Sequence, residues 1–167
     1  MKKHTLAFLF GVACVAHCFG AYDKRLVHVL AQLRDCKMAF DVELPMVGGP
    51  AVGYAGTPHE FYLLFPYVRR IASDGDLVAM LRDASPVVRI MAAKCIVQQK
   101  DSPLMPELDA LTKDADKVYV APFGCVITKQ TVSEVVRELK KDPDFLGDLK
   151  EADPVGTDNE RAAPARD

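Results

Sequence analysis

The sequence is poor in the residues that most binding and catalytic chemistry requires. It has no tryptophan, four histidines and five cysteines in 167 residues. It also lacks an excess of basic side chains, because 21 lysines and arginines are set against 23 aspartates and glutamates. A formal net charge of −2 argues against a protein built to contact nucleic-acid phosphates. No stretch contains the ~20 apolar residues that are needed to span a bilayer.

The motifs that would indicate a metal, cofactor or catalytic site are also missing. Beyond residue 20 the only histidines are His28 and His59, and neither Cys-x-x-Cys nor His-x-x-x-His spacing occurs. The glycines of "VGGPAVGYAG" are not followed by the Gly-Lys-Ser/Thr of a phosphate-binding loop. Cys125 in "FGCVI" has no base placed beside it by a motif, and its apolar neighbours indicate a buried thiol. We therefore expect no metal, no cofactor and no catalytic residue.

The N-terminus is typical of a secretory signal peptide. Lys2 and Lys3 precede an apolar stretch from Leu6 to Ala16, and small residues follow. This order predicts a signal peptide over 1–20, cleavage after Gly20, and export to the periplasm or the extracellular space. Cleavage after Ala16 and an uncleaved membrane anchor are alternatives. Lipid attachment at Cys14 or Cys18 is disfavoured by the residues before them, so we expect no membrane contact after cleavage.

Export places the three remaining cysteines in an oxidising compartment, where a disulfide can persist. These cysteines are Cys36, Cys95 and Cys125. Since three is an odd number, at least one thiol stays free or pairs with another molecule. A Cys95–Cys125 disulfide is one of the open alternatives.

Helical patterns dominate the rest of the chain, which we expect to form one domain over 21–146. The segment from Pro45 to Pro58 is rich in glycine and proline and predicts an irregular connector. The segment 86–97 follows Ser85, a good N-cap, and is apolar nearly all round, which predicts a helix buried on more than one side. Residues 147–167 carry charge, proline and alanine, and we expect a disordered tail.

The sequence contains a short internal self-match at a shift of 31 residues. "DLVAMLRDAS" aligns with "ELDALTKDAD", so that Leu77 matches Leu108 and Met80 matches Leu111. Periods of 20–50 residues are typical of solenoids built from stacked units. The match therefore predicts a second helical unit after the first.

The first unit, "LVAMLRDASPVVRIMAAKCI", resembles a HEAT repeat in its turn and second helix. The resemblance implies that Asp83, Pro86 and Arg89 are structural, with the aspartate and the arginine interacting along the stack. The second unit departs from the pattern, because Lys117 stands at the proline position. The stretch from "VGYAGTPHEFY" to "FGCVITKQTV" also resembles a group of exported bacterial proteins with a HEAT-like middle. The expected fold is all-α, a short HEAT-like α-solenoid of antiparallel helix pairs.

Stacked helix pairs provide a contact face rather than a reaction. We therefore expect an exported, non-enzymatic protein–protein interaction module or scaffold of the cell envelope, with another protein as its partner and no nucleic acid. An aromatic cluster that includes Tyr54, Phe61 and Tyr62 is a candidate partner surface. The alternative is a small exported enzyme or enzyme inhibitor that uses the Tyr54–Phe65 region and Cys125.

Overall fold

The computed structural model describes residues 22–38 and 41–147, and these residues form a mixed α/β fold. The predicted signal peptide and residues 148–167 of the predicted tail lie outside the described residues. The helices are α1 (Lys24–Asp35), α2 (Glu60–Ile71), α3 (Asp74–Met80), α4 (Pro86–Val97), a 3₁₀ helix (Met105–Leu111) and α5 (Val132–Lys141). The strands are β1 (Lys37–Met38), β2 (Asp41–Val52), β3 (Lys117–Gly124) and β4 (Thr128–Thr131).

A sheet in the order β1-β2-β3-β4 is the feature that the sequence analysis missed. β2 pairs with β3 in parallel, with Val47 opposite Val120, and β3 pairs with β4 antiparallel. β1 adds two residues antiparallel to β2. The predicted all-α HEAT-like solenoid is therefore wrong.

The predicted irregular connector forms most of β2, and its glycines and prolines have specific places in the sheet. A β-carbon on Gly49 would collide with the carbonyl oxygen of Pro122 on β3, and one on Gly48 would lie 2.7 Å from the His59 side chain. Pro50 lies where the β2–β3 register shifts, a position at which a strand tolerates a residue without an N–H. These residues are present because of close strand packing and not because the segment is irregular.

The second unit of the self-match is also not a helix pair. Its first part is the 3₁₀ helix, and its second part is β3. Within β3, Val118 and Val120 are buried and Tyr119 between them is half-buried, which is the two-residue period of a strand. β-Branched and aromatic residues at this spacing favour a strand over a helix.

Helix α4 lies at the centre of the molecule, as its uniformly apolar sequence predicts. Every residue from Val87 to Ile96 is buried. The helix contacts α1, α2, α3 and α5 as well as β2 and β3. α1 packs mainly on α2 and α4.

The segment after α5 closes over α4 through a buried lysine. The Lys94 ammonium is fully buried and donates to the carbonyl oxygens of Phe145 (3.0 Å) and Gly147 (2.7 Å). Its Nζ also lies 4.8 Å from the centre of the Phe65 ring. Gly147 is buried, so packing continues one residue beyond the predicted domain limit at 146.

Candidate functional site

The parallel pairing of β2 and β3 brings the ends of both strands, and the turns that follow them, to one end of the sheet. The Gly53 N–H donates to the Gly124 carbonyl oxygen at 2.8 Å, which joins the two turns directly. We call the two turns, 53–57 and 123–127, the apolar end. They come from sequence regions about 70 residues apart and form one continuous surface.

Large hydrophobic side chains stand in solvent at the apolar end. Tyr54 is fully exposed, and the exposed fractions are 58% for Phe123, 67% for Val126 and 40% for Ile127. Half of the large exposed hydrophobic residues in the described part of the chain are therefore at this one place. Single exposed apolar residues are ordinary, whereas a cluster of them indicates a contact surface.

Charged side chains are missing from both segments that form this end. Residues 44–58 and 118–128 contain no aspartate, glutamate, lysine or arginine. The first charged residue after the β3–β4 turn is Lys129, which is exposed on β4. An uncharged surface of this kind suits an apolar partner and offers nothing to a phosphate backbone.

Backbone hydrogen bonds hold the 53–57 turn. Val52 and Thr57 exchange two backbone hydrogen bonds (2.8 and 3.2 Å), and the Gly56 N–H donates to the Gly53 carbonyl oxygen. Gly53, Gly56 and Gly124 have φ values of 73°, 59° and 60°, a region that glycine adopts without strain. The backbone of the 53–57 turn is therefore partly paired by its own hydrogen bonds.

The structure separates the three residues of the predicted partner surface. Tyr54 lies on the apolar end, but Phe61 and Tyr62 are buried in the core on α2. The prediction was wrong for these two because they lie on the inner face of α2, together with Phe65 and Val68. Sequence reasoning missed Phe123, Val126 and Ile127, which it assigned to the surroundings of a buried cysteine. The signal that indicates them is an uncharged hairpin with lysines at both ends.

The possible Cys95–Cys125 disulfide is not formed, and all three described cysteines are free thiols. Cys95 is buried in α4, whereas Cys125 is exposed in the β3–β4 turn, so the two sulfurs lie in different parts of the fold. Burial raises the pKa of Cys95 and of Cys36 to about 12, which leaves both thiols protonated. In the described part of the chain no hydrogen bond joins Cys125 to a histidine or a carboxylate.

His59 has a structural place at the start of α2. Its Nδ1 accepts the Phe61 N–H at 3.1 Å and so caps the helix, while its ring packs against Gly48. Burial lowers the pKa of His59, so the neutral ring is favoured. His28, by contrast, is exposed on α1.

The residues singled out by the HEAT resemblance lie at the opposite end of the sheet. Arg89 donates to the carbonyl oxygens of Asp83 (2.7 Å) and Ala84 (3.0 Å), and its carboxylate partners are Asp114 (2.8 Å) and Asp116 (2.6 Å). The Asp83 carboxylate instead pairs with Arg34 of α1 and accepts the Ser85 N–H. Pro86 is the first residue of α4. The arginine thus joins the α3–α4 turn to the segment before β3.

Within the described residues no group of three or more His, Cys, Asp or Glu side chains is placed to hold a metal ion. No helix of the same residues is long and apolar enough to cross a membrane. Comparison with models of protein families finds no match, and no curated protein matches the chain either.

Proposed function

We propose that this chain is an exported, non-enzymatic interaction module of the cell envelope that contacts its partner with the apolar end. The observation that carries the proposal is the cluster of Tyr54, Phe123, Val126 and Ile127, exposed on two joined and uncharged turns. Folded proteins rarely expose such a cluster without a partner to cover it. The signal-peptide pattern of residues 1–20 supports the envelope as the location.

The residues of the enzyme alternative do not form one site. Phe61 and Phe65 are core residues, whereas Tyr54 and Cys125 are exposed at the apolar end. A nucleophile requires a base within hydrogen-bonding reach, and the surroundings of Cys125 are apolar. The exposed hydrophobic residues around the thiol favour a contact surface over a catalytic one.

Sedimentation with envelope membranes tests the proposal. The protein is purified in the form that its cells produce after processing. It is mixed with washed envelopes of the same cells, and the bound fraction is measured after centrifugation. We expect binding that Phe123→Asp reduces about tenfold or more and that Val27→Asp leaves unchanged. Val27 is a matched control because it is 51% exposed on α1, outside the two turns that form the apolar end. The proposal would be contradicted if the unmodified protein, Phe123→Asp and Val27→Asp all bound equally, or if none of them bound.

Export is tested separately by the N-terminal sequence of the cellular protein. We expect it to begin near Ala21, after removal of residues 1–20. An intact Met1 in the soluble cytoplasmic fraction would contradict export.

A further inference from the structure

We infer that the partner of the apolar end is the surface of a lipid bilayer, into which Tyr54, Phe123, Val126 and Ile127 insert. The inference rests on the proposed function and names the partner of the same surface. The sequence alone favours a protein partner and no membrane contact. The shape and charge of the apolar end lead to a different partner.

The exposed apolar side chains offer a small area that a bilayer can cover. The exposed parts of the four side chains amount to roughly 500 Å², since one aromatic side chain presents about 150–250 Å². A bilayer needs no large complementary surface, because a few apolar side chains that reach about 5–10 Å into it already leave water.

The shape of the end also fits a bilayer better than a protein pocket. The surface consists of two neighbouring turns at the end of a sheet, and Tyr54 is as exposed as a side chain without neighbours. A protein partner would need a matching cavity for such a protrusion. Lipid chains rearrange around it, and a tyrosine ring with its hydroxyl suits the boundary between headgroups and acyl chains.

Backbone hydrogen bonds reduce the cost of inserting the 53–57 turn. The two Val52–Thr57 hydrogen bonds, the Gly56–Gly53 bond and the Gly53–Gly124 bond pair part of its backbone. Unpaired N–H and C=O groups are what normally keep irregular segments out of an apolar phase. These bonds therefore lower that barrier for the 53–57 turn.

The charges of the domain are distributed in a way that complements a lipid surface. Lys129 is exposed two residues after Ile127, so its long side chain can reach phosphate groups while the turn inserts. Asp114 and Asp116 precede β3 and lie at the other end of that eight-residue strand, about 25 Å away, where Arg89 pairs with both. No carboxylate of β3 or of its turn is therefore brought to the headgroups when the apolar end inserts.

The absence of tryptophan from the sequence makes a direct test possible. Tyr54→Trp places a single fluorescent reporter at the apolar end, and Val27→Trp places the matched reporter on α1. The probes are protein-free vesicles of phosphatidylcholine, with or without phosphatidylglycerol. We expect a blue-shifted emission for Tyr54→Trp on vesicle addition and no change for Val27→Trp. A shift in both proteins would indicate adsorption without orientation and would overturn the inference.

Variants of the processed protein then separate the apolar and the electrostatic contributions. Phe123→Asp and Val126→Asp are expected to weaken vesicle binding about tenfold or more, since a charge at this depth opposes insertion. Lys129→Gln is expected to weaken binding about threefold to tenfold on vesicles with phosphatidylglycerol and not on phosphatidylcholine alone. Circular dichroism confirms that each variant is folded, as expected for exposed positions.

The outcomes distinguish this inference from the function on which it rests. If no vesicle binds the chain, but washed envelopes bind it and lose this binding after protease treatment, the partner is a protein and the lipid inference falls. If neither vesicles nor envelopes bind, the proposed function falls as well. Vesicle binding that the aspartate variants do not reduce would also overturn the inference.

Discussion

Three cysteine thiols illustrate how strongly the surroundings of a residue change its chemistry. Cys36 and Cys95 are buried, and desolvation raises the pKa of each thiol to about 12. The carboxylate of Glu60, which lies 4.0 Å from the Cys36 sulfur, raises the pKa of Cys36 further. Cys125 is exposed in the β3–β4 turn.

We predict that, of the three described cysteines, a thiol reagent at pH 8 modifies only Cys125 in the native protein. Reaction requires the thiolate and access to it, and burial removes both from the other two cysteines. Mass spectrometry of the labelled peptides measures the result, with the denatured protein as the reference that labels all three. Rapid native labelling of Cys95 would contradict its burial in α4.

We expect His59 to make the free energy of unfolding depend on pH. Its pKa is lowered by burial in the folded state, so the unfolded state binds more protons near pH 6. The stability that His59 contributes is therefore present above its unfolded-state pKa of about 6.5 and is lost as the pH falls below it. The lowered pKa values of the carboxylates Asp23 and Glu134 affect only more acidic conditions.

We expect His59→Asn to flatten the decrease in stability between pH 7.5 and pH 5. The asparagine oxygen can still accept the Phe61 N–H as a helix cap but does not titrate. Urea unfolding of both proteins across this range measures the difference. Identical pH profiles would show that His59 is not the group responsible.

At the scale of elements, Arg89 connects the α3–α4 turn to the chain that enters β3. The guanidinium is 8% exposed, and of its two carboxylate partners Asp114 is largely buried while Asp116 is mostly exposed. Arg89→Ala is expected to lower the free energy of unfolding by about 2–3 kcal/mol, the scale of charged hydrogen bonds. A double-mutant cycle should show more coupling to Asp114 than to Asp116, because an exposed pair is screened by water. Additive effects with Asp114→Ala would contradict this arrangement.

We expect Lys94 to attach the last described segment, which follows α5, to α4. Lys94→Met keeps the apolar stem but leaves the carbonyl oxygens of Phe145 and Gly147 without this donor. We expect a loss of about 1–3 kcal/mol and faster proteolysis between residues 142 and 147. Lys140→Met is the control, since Lys140 pairs with Asp109 at the surface. Equal proteolysis of both variants would show that the buried lysine does not hold the segment.

Helices were more predictable than strands because their signals are local. Ser85 and Pro86 at the start of α4 and Thr131 before α5 are read from a few neighbouring residues, and Thr131 forms its capping box with Glu134. The His59 side chain caps α2, and the helix continues through Pro66. The β2–β3 pairing joins residues about 70 positions apart, so no local pattern reports it.

The candidate surface escaped prediction for the same reason. The turn that carries Tyr54 lies beside the end of β3 that carries Phe123 only because two parallel strands end together. The sequence identifies both regions as apolar, but apolar residues are ordinarily assigned to the core. The distinction between Phe61, which is buried, and Phe123, which is exposed, depends on the sheet.

At the scale of the whole molecule, α4 is the central element, which contacts the other helices as well as β2 and β3. Ile96 is fully buried on this helix. Ile96→Asp places an unpaired charge there and is expected to remove several kcal/mol, comparable to the total stability of ~5–15 kcal/mol. We expect loss of the mixed α/β circular dichroism spectrum and of the cooperative urea transition. Val27→Asp, at an exposed position, should change stability by no more than about 0.5 kcal/mol. An unchanged transition for Ile96→Asp would contradict the central place of α4.

The parallel pairing of β2 with β3 also determines when the chain can fold during synthesis. A chain that emerges N-terminus first releases β2 early, but its partner follows only about 70 residues later, after α2, α3 and α4. Contacts between such distant segments form slowly, because a long loop must close first. Until then β2 has an unpaired edge with apolar residues, a state that other chains can capture. The strand that helps to form the apolar end is therefore the part of the nascent chain that most needs protection.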